Sequence, residues 1–268
     1  MRDHGFQRAY AIRNGMEGWV SAGGFLEPWK NQMRLFERSF HSAYHNIALD
    51  EALLLQAEQS NSGEVLRIWE LDSPAVILGS GCKHELDVDV ASCEKDGVPI
   101  LRRSSGGGTV LLGKGCLLFT LILHLESRPG LATIKGSYQA IMGKMVDCLG
   151  LPNSSHDGIS DLTMGSRKFS GNAQQRKSNY ILHHGSILYD FDLGTIQKYL
   201  KHPPMEPEYR SGRSHSDFLT NIPLTRIEIK ERIKNVWACR ETPQNLPIEE
   251  TEKLVTEKYL LNSWTFRR

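Results

Sequence analysis

Two short segments hold the residue types from which this sequence could build a reactive site. Residues 168–174 read KFSGNAQ and place one lysine, Lys168, among small residues. Residues 102–110 read RRSSGGGTV and place three consecutive glycines behind two arginines. Glycine weakens a strand, but it lets another group approach the backbone, whose N–H groups can then bind an oxyanion. With the arginines, the segments predict a site that holds a carboxylate against a nucleotide phosphate, as acyl activation requires.

The glycine-rich segment matches neither of the common phosphate-binding motifs. It is not G-x-x-x-x-G-K-[ST] and not G-x-G-x-x-G, so neither a P-loop nor a Rossmann site is predicted. Arg102 and Arg103 could each contact a phosphate or a carboxylate through paired N–H groups. The alternative is a plain tight turn after a strand, with both arginines on the surface.

Residues 164–167, MGSR, predict a two-residue hairpin turn with glycine at its first position. The pairing that follows sets Thr163 opposite Lys168, and it also sets Leu162 opposite Phe169. Because side chains alternate along a strand, Leu162 and Phe169 are expected in the core. The other face would then hold Asp161, Thr163, Lys168 and Ser170, next to Gly171. A solvated surface with an ordinary Asp–Lys pair is the alternative.

Histidines and a basic loop supply the remaining candidates. His183 and His184 are adjacent in a predicted strand, so they face opposite sides and cannot bind one metal ion together. One is expected to pack in the core and the other to line the site. His156 lies in a loop without a second ligand cluster, so no metal site is predicted. Arg210 and Arg213 lie in a basic loop that could contact a phosphate or an acidic partner, or remain solvated.

Composition and charge exclude several classes of protein. The chain has 268 residues, of which 40% are hydrophobic and 24% charged, as in soluble globular proteins. A net charge of +1 argues against general nucleic-acid binding, and no apolar run has the length of about 18 residues that a membrane span needs. The N-terminus has no apolar signal region. The five cysteines are scattered without metal-ligand or disulfide spacing, so we expect a cytoplasmic protein.

The elements that must position these residues follow from hydrophobic periodicity. Helical spacing is found at residues 47–56, with Gly63 as the stop, and at 134–149, ended by Gly150. Two further helices are predicted, at 226–238 and 248–261. Strands are predicted at 65–69, 75–78, 98–101, 117–125 and within 161–189, of which 117–125 is apolar enough to be buried on both faces. The pattern predicts an α+β fold, a mixed sheet with helices packed on it.

The chain is expected to divide near residue 35. Residues 1–34 are rich in glycine around Trp19 and resemble the closing segment of a rhodanese domain over about twenty residues. A rhodanese needs an upstream cysteine, so these residues are expected to be an inert N-terminal extension. Residues 35–268 are expected to form the main domain.

The chemistry-bearing segments together resemble the lipoate–protein ligase A family, within the wider biotin/lipoate ligase group. The resemblance rests on residues 102–110, on Ser160-Asp161-Leu162, on 167–176 (RKFSGNAQQR) and on 184–188 (HGSIL), in the family's order and spacing. It extends over about residues 35–265. It implies that residues 35–268 are a lipoate–protein ligase-like catalytic domain without a C-terminal accessory domain.

The resemblance also implies a fold and a reaction. The fold would be that of the class II synthetase and biotin-ligase catalytic domain, α+β with a mixed, mainly antiparallel sheet flanked by helices. ATP, with Mg²⁺, would convert lipoate to lipoyl-AMP, and a lysine of a lipoyl carrier domain would then take the acyl group. The carriers would be 2-oxoacid dehydrogenase subunits or the glycine cleavage H protein. A separate accessory protein is a further implied partner.

Matched residue by residue, the resemblance makes Lys168 the catalytic residue, in contact with the acyl carbonyl and the AMP phosphate. Arg103 would bind nucleotide phosphate, and Asp161 would lie near the ATP and its Mg²⁺. The adenylate would be lined by the backbone of Gly108, Thr109, Val110 and Leu111. Lipoate binding is assigned to Lys168, Gly107, Gly171, Asn172, His184 and Gly185. Candidate apolar walls for the lipoyl chain are Ile77, Leu78, Val110 and Leu111.

Other functions stay open. An octanoyl or lipoyl transferase on the same fold would use a cysteine nucleophile, which one branch carries in the loop that is residues 153–159 here. That loop has no cysteine, and Cys116 and Cys148 fall where inert burial is expected. A non-catalytic binder of lipoate or of a carrier domain is another alternative, and biotin as the substrate is a third.

Overall fold

The structure is a computed structural model that describes residues 33–241 and 246–267, with the side chains of Arg240 and Glu241 excepted. The expected N-terminal extension falls almost wholly on residues outside this range, so it stays a prediction. Within the range, no helix is long and apolar enough to cross a bilayer.

Eleven strands are found in the described residues, in two sheets. Their bounds are β1 Arg34–Phe36, β2 Val65–Trp69, β3 Ala75–Leu78, β4 Ile100–Arg102, β5 Val110–Leu112, β6 Cys116–His124, β7 Ser154–Asp157, β8 Asp161–Met164, β9 Arg167–Arg176, β10 Tyr180–Leu188 and β11 Arg240–Glu241. The larger sheet has the order β11-β1-β2-β6-β10-β9-β8-β7, and the smaller has the order β4-β3-β5. Only β1–β11, β1–β2 and β3–β4 pair in parallel, which confirms a mixed, mainly antiparallel arrangement.

Helices flank these sheets. In the described ranges they are α1 Ala43–Ser60, α2 His84–Asp87, α3 Val90–Asp96, α4 Ile134–Leu149, α5 Ile196–Tyr199, α6 His215–Phe218, α7 Arg226–Val236, α8 Ile248–Leu254 and α9 Asn262–Thr265. Helix α1 packs on β6 and β10, and α4 packs on β7 and α7. The α+β fold is therefore confirmed.

The long helices follow the predicted periodicity, with differences at their ends. Helix α4 begins after Thr133, whose side chain accepts from the Gly136 N–H, and it ends at Gly150 in the left-handed conformation. Helix α1 ends at Asn61, which takes the left-handed conformation itself, rather than at Gly63 as predicted. The single helix expected over 248–261 is instead α8 followed by a π turn at Val255–Tyr259 and then α9.

The core lies on both sides of the larger sheet, in which β6 is one of the two central strands. The first eight residues of β6 are buried, as the continuous apolar run predicts. One cluster joins the smaller sheet to α1 and to the C-terminal helices, and another packs α4 and α7 against the opposite part of the larger sheet. The two sheets are thereby held close enough to enclose a site between them.

The hairpin β8–β9 differs from the predicted pairing by one residue. Thr163 does pair with Lys168, but Leu162 pairs with Ser170, and Phe169 is an extra residue in a β-bulge. Leu162 and Phe169 are both fully buried in the core, as predicted. Ser170, however, shares their face, because directly paired residues point to the same side of a sheet. The bulge places Gly171 opposite Asp161, on the face of Lys168.

Candidate active site

A cavity of about 640 Å³, including its open mouth, lies between the two sheets. Its apolar wall comes mainly from α1, β2, β3, β5 and β6, and includes Ile47, Trp69, Ile77, Val110, Leu112, Leu118 and Phe119. Its polar wall comes from β6, β9, β10, the turn before β8 and residues 103–109 between β4 and β5, which we call the glycine turn. The polar wall includes Arg103, Gly108, Thr109, Thr120, Ser160, Lys168, Asn172 and His184.

Most of the residues that the sequence singled out meet at this cavity. Those on its wall are Arg103, Gly108, Thr109, Val110, Lys168, Gly171, Asn172, His184 and Gly185. Four others are not part of the wall. Leu111 and Leu78 pack in the core between the sheets, so their side chains belong to the fold rather than to the cavity. Gly107 lies in the turn itself, and Asp161 is buried next to Lys168.

Lys168 is the best-placed cation of the site. Its ammonium group lies 2.8 Å from Asp161 Oδ1, while the Tyr209 hydroxyl donates to Asp161 Oδ2 at 2.7 Å. A side chain at Gly171 would begin 3.0 Å from Lys168 Nζ, so the lysine stretches over a position that must remain bare. Asp161 thus orients the ammonium group, which remains about one-quarter exposed at the cavity.

Arg103 holds the glycine turn from inside. It donates to the carbonyl oxygens of Gly106 and Gly108 at 2.5 and 2.8 Å and to Ser105 Oγ at 2.9 Å. Burial lowers the pKa of Arg103 to about 10, which still leaves it charged at neutral pH. No carboxylate among the described residues forms an ion pair with it. A buried cation without an acidic partner favours an anionic ligand.

The glycine turn requires glycine at two positions, one within the turn and one in the loop that contacts it. Gly107 has a φ of +80°, the left-handed region that favours glycine. A Cβ at Gly79 would lie 1.9 Å from the Gly107 carbonyl oxygen, so the loop after β3 touches the turn backbone to backbone. Thr109, next to the turn, donates its hydroxyl to Asp87 Oδ2 at 2.5 Å.

His184 and His183 face opposite sides of β10, as alternation predicts. His184 lines the cavity, and its Nδ1 lies 3.3 Å from Asp50 Oδ2 in α1. Burial lowers the pKa of His184, and Arg103 adds to this, although Asp50 opposes it. Burial raises the pKa of Asp50, but Arg67 and His184 outweigh that effect and keep it lowered overall.

His183 is fully buried and contacts Asn172, which lines the cavity. Its ring nitrogens lie 3.0 Å from Gln174 Nε2 and 3.2 Å from Asn172 Oδ1. Burial lowers the pKa of His183 to about 3, so the ring is neutral. Asn172 in turn donates to the Ser160 carbonyl and to Ser170 Oγ. The amide of Asn172 fills the place of a side chain at Gly185, where a Cβ would lie 2.0 Å from Asn172 Oδ1.

Arg102 does not take the role that the sequence suggested for both arginines. Adjacent residues of a strand point to opposite sides. The Arg102 guanidinium accordingly turns from the cavity to the C-terminal segment, where it donates to the carbonyls of Gly79, Cys82 and Thr265. In the basic loop, Arg213 donates to the carbonyl oxygens of Tyr209, Arg210 and Ser166, so its guanidinium stabilises the local backbone.

Three polar residues of the site were missed in the sequence. Asp50, Ser105 and Thr120 connect to His184 or to each other by hydrogen bonds, yet they come from three distant segments. A carboxylate in the middle of the apolar helix 43–60 is the one signal that could have identified Asp50, because buried acids are rare unless they are paired. Across the described ranges, no cluster of three or more metal-ligating side chains is present.

A family model for the lipoyl protein ligase A/B catalytic domain matches residues 42–236, more than half of the chain. The protein therefore belongs to this family of lipoate ligases and octanoyltransferases.

Two curated relatives carry different activities in their names. The octanoyltransferase LipM of Carboxydothermus hydrogenoformans is 29% identical over 90% of this chain and 100% of its own length. The Mycoplasma genitalium protein named probable lipoate-protein ligase A is 29% identical over 83% of this chain and 68% of its own length. The relatives thus define the family without choosing between ligation and transfer.

Solved structures agree on the fold. A bi-partite lipoate protein ligase from Thermoplasma acidophilum superposes with a TM-score of 0.74 at 21% identity, covering 88% of this chain and 96% of the other. A lipoate-protein ligase A bound with ATP superposes with a TM-score of 0.71 at 20% identity, covering 88% of this chain and 98% of the other. At these identities the likeness concerns the fold alone, and it confirms the ligase-type architecture.

Proposed function

We propose that the protein is an ATP-dependent lipoate–protein ligase, which forms lipoyl-AMP and transfers the lipoyl group to a lysine of a lipoyl carrier domain. The observation that carries this proposal is the pair of cations on one cavity wall, Lys168 and Arg103. Both line a cavity whose remaining wall is largely apolar, as a fatty acyl chain requires. Two fixed positive charges suit a reaction in which a carboxylate meets a triphosphate.

In the activation step, the carboxylate attacks the α-phosphorus of ATP and pyrophosphate leaves. The Lys168 ammonium group neutralises charge between the carboxylate and the α-phosphate, and Asp161 keeps it aimed there. Arg103 and the open backbone of Gly108 bind phosphate oxygens beside the turn. Mg²⁺ would accompany the nucleotide, bound mainly by its phosphates. Asp161 already pairs with Lys168 and Tyr209, so we assign no step to the metal.

In the transfer step, the carrier lysine attacks the acyl carbon, AMP leaves, and an amide forms. The same ammonium group then stabilises charge on the acyl oxygen and on the departing phosphate. The apolar wall around Trp69 and Phe119 holds the acyl chain and limits access of water to the mixed anhydride.

The cysteines support ligation over transfer through a thioester. Burial raises the pKa of Cys116 to about 12 and that of Cys148 to about 11, so both thiols stay protonated near neutral pH. Cys82 lies closer to the turn, where its thiol donates to the Gly107 carbonyl at 3.4 Å, and burial raises its pKa as well. Residues 153–159 contain no cysteine.

Octanoyl transfer is the second candidate. It is favoured by the alignment with octanoyltransferase LipM, which covers all of that protein. The proposed carriers are the same in both cases, because both reactions end on the lysine of a lipoyl domain. A relative of the same fold is described together with its E2 lipoyl domain, which supports that choice of partner. We place the reaction in the cytoplasm, where free cysteines such as the five here remain reduced.

One experiment separates the candidates. The protein is incubated with a lipoyl domain and either lipoate plus ATP and Mg²⁺, or octanoyl carrier protein without ATP, and the domain is weighed by mass spectrometry. Lipoylation that requires ATP and releases pyrophosphate supports the ligase. Octanoylation without ATP would establish the transferase, and binding of lipoate without any modification would leave a non-catalytic binder. Biotin in place of lipoate tests the remaining alternative.

A further inference from the structure

A buried series of hydrogen bonds runs from Arg103 at the glycine turn to Asp50 in α1. Arg103 Nε donates to Ser105 Oγ at 2.9 Å, and Ser105 Oγ lies 2.6 Å from His184 Nε2. His184 Nδ1 lies 3.3 Å from Asp50 Oδ2. Ser105 and Asp50 are 1% and 2% exposed, and neither lies on the cavity wall, whereas Arg103 and His184 both do.

The hydrogen-bond partners of Asp50 determine which atoms of His184 and Ser105 carry protons. Asp50 accepts from Arg67 at 2.5 Å and from Thr120 at 2.8 Å, as an ionised carboxylate does. His184 therefore carries its proton on Nδ1 and donates it to Asp50, which leaves Nε2 as an acceptor. Ser105 must then donate its hydroxyl proton to His184 while it accepts from Arg103. Each of these polar atoms has a partner in this arrangement.

A serine, a histidine and a carboxylate in this order also occur in acyl-transferring triads. Here the serine oxygen already accepts the Arg103 N–H and is buried behind the cavity wall. A substrate carbonyl therefore has no approach to it. The geometry suits orientation rather than nucleophilic attack.

We propose that Ser105 is a positioning residue that sets Arg103 for the nucleotide and His184 for the acyl chain at the same time. This inference rests on the proposed ligase function, because it needs both ligands in one cavity. Removing the hydroxyl leaves Arg103 Nε and His184 Nε2 without their partners, so both ligands should bind more weakly. A merely structural serine would lower stability without affecting the two affinities together.

The test compares Ser105→Ala with Ser104→Ala. Ser104 is the adjacent hydroxyl, and it donates to Gln175 Oε1 instead of to the cavity residues. Calorimetry measures the affinities for α,β-methylene ATP and for lipoate separately. Hydrogen bonds to charged groups are strong enough that Ser105→Ala should weaken each ligand roughly tenfold or more, while Ser104→Ala stays within about twofold. Loss of only one affinity, or of neither, would overturn the positioning role.

A second pair of variants covers the case in which Ser105→Ala does not fold. His184→Gln keeps an acceptor for the Ser105 hydroxyl, whereas His184→Leu removes it. We expect the affinity for the ATP analogue to be retained in His184→Gln and to fall in His184→Leu, although His184 lies on the acyl side. Equal affinities in the two variants would refute the inference while leaving the ligase function intact. A wild-type protein that does not bind the ATP analogue would refute both.

Discussion

Replacement of Lys168 by methionine directly tests the proposed role of the Lys168 ammonium group in activation and transfer. The substitution keeps the length of the side chain and removes the ammonium group. The group lies 2.8 Å from Asp161 Oδ1 and reaches the cavity over the bare backbone of Gly171. Methionine can fill the same volume, but it can neither pair with Asp161 nor neutralise charge on an acyl or phosphate oxygen.

The size of the effect follows from this geometry. Losing one preorganised donor to a developing charge costs about 3–4 kcal/mol, or about 100- to 1,000-fold in rate. The loss in stability should be much smaller. Lys168 is 24% exposed, and the Tyr209 hydroxyl still donates to Asp161, so we expect the free energy of unfolding to fall by about 1 kcal/mol.

Two assays separate the two steps. Pyrophosphate release with lipoate and ATP reports activation, and modification of a lipoyl domain by synthetic lipoyl-AMP reports transfer. Both rates should fall by about 100-fold or more in Lys168→Met. Lys177→Met, at an exposed lysine after the same strand, serves as the control and should keep both rates. Near-normal activation by Lys168→Met would show that the ammonium group is not part of the chemistry, and normal transfer alone would confine it to the first step.

Three further changes have defined outcomes. Gly185→Ala places a methyl group 2.0 Å from Asn172 Oδ1, so lipoate affinity by calorimetry and the melting temperature should both fall, whereas Gly143→Ala, in open space on α4, should leave affinity unchanged. The pKa of His183 is about 3 in the folded protein and ordinarily 6.5, so the unfolded chain binds one more proton between these pH values. The free energy of unfolding should therefore fall by up to about 1.4 kcal/mol per pH unit as the pH drops from about 6.5 towards 3. In urea titrations, the free energy of unfolding of His183→Gln should decrease less steeply over the same pH range. Cys116→Ala and Cys148→Ala should retain the ligation rate measured by mass spectrometry, and loss of activity with intact folding in either would favour thiol chemistry.

Much of the fold could be predicted because long elements repeat their own pattern. The helix Ile134–Leu149 is predicted by apolar residues at three- and four-residue steps, and the strand Cys116–His124 is predicted by its continuous apolar run. The end of the first helix could not be placed, because asparagine and glycine can both take the left-handed conformation and the earlier of the two did. The last predicted helix contains a π turn at Val255–Tyr259, where the buried Tyr259 donates its hydroxyl to Glu51 of the distant first helix, a tertiary contact that periodicity does not describe.

The site was predictable where its residues are close together in the sequence. Lys168 and Asp161 meet across one hairpin, so their pairing follows from the turn. The two arginines could not be told apart, since their separate directions depend on which face of β4 meets the cavity. Asp50 and Ser105 reach His184 only through tertiary contacts, and no local pattern brings them together.

The extra residue at Phe169 determines which residues of β9 share a face of the sheet. Strand residues two apart normally share a face, yet here Lys168 and Gly171, three apart, do so. A regular strand with the same residues and no bulge would turn Lys168 and Gly171 onto opposite surfaces, because residues three apart alternate in a regular strand. In this hairpin the irregular pairing at Phe169 is therefore as much a part of the candidate site as the side chains themselves.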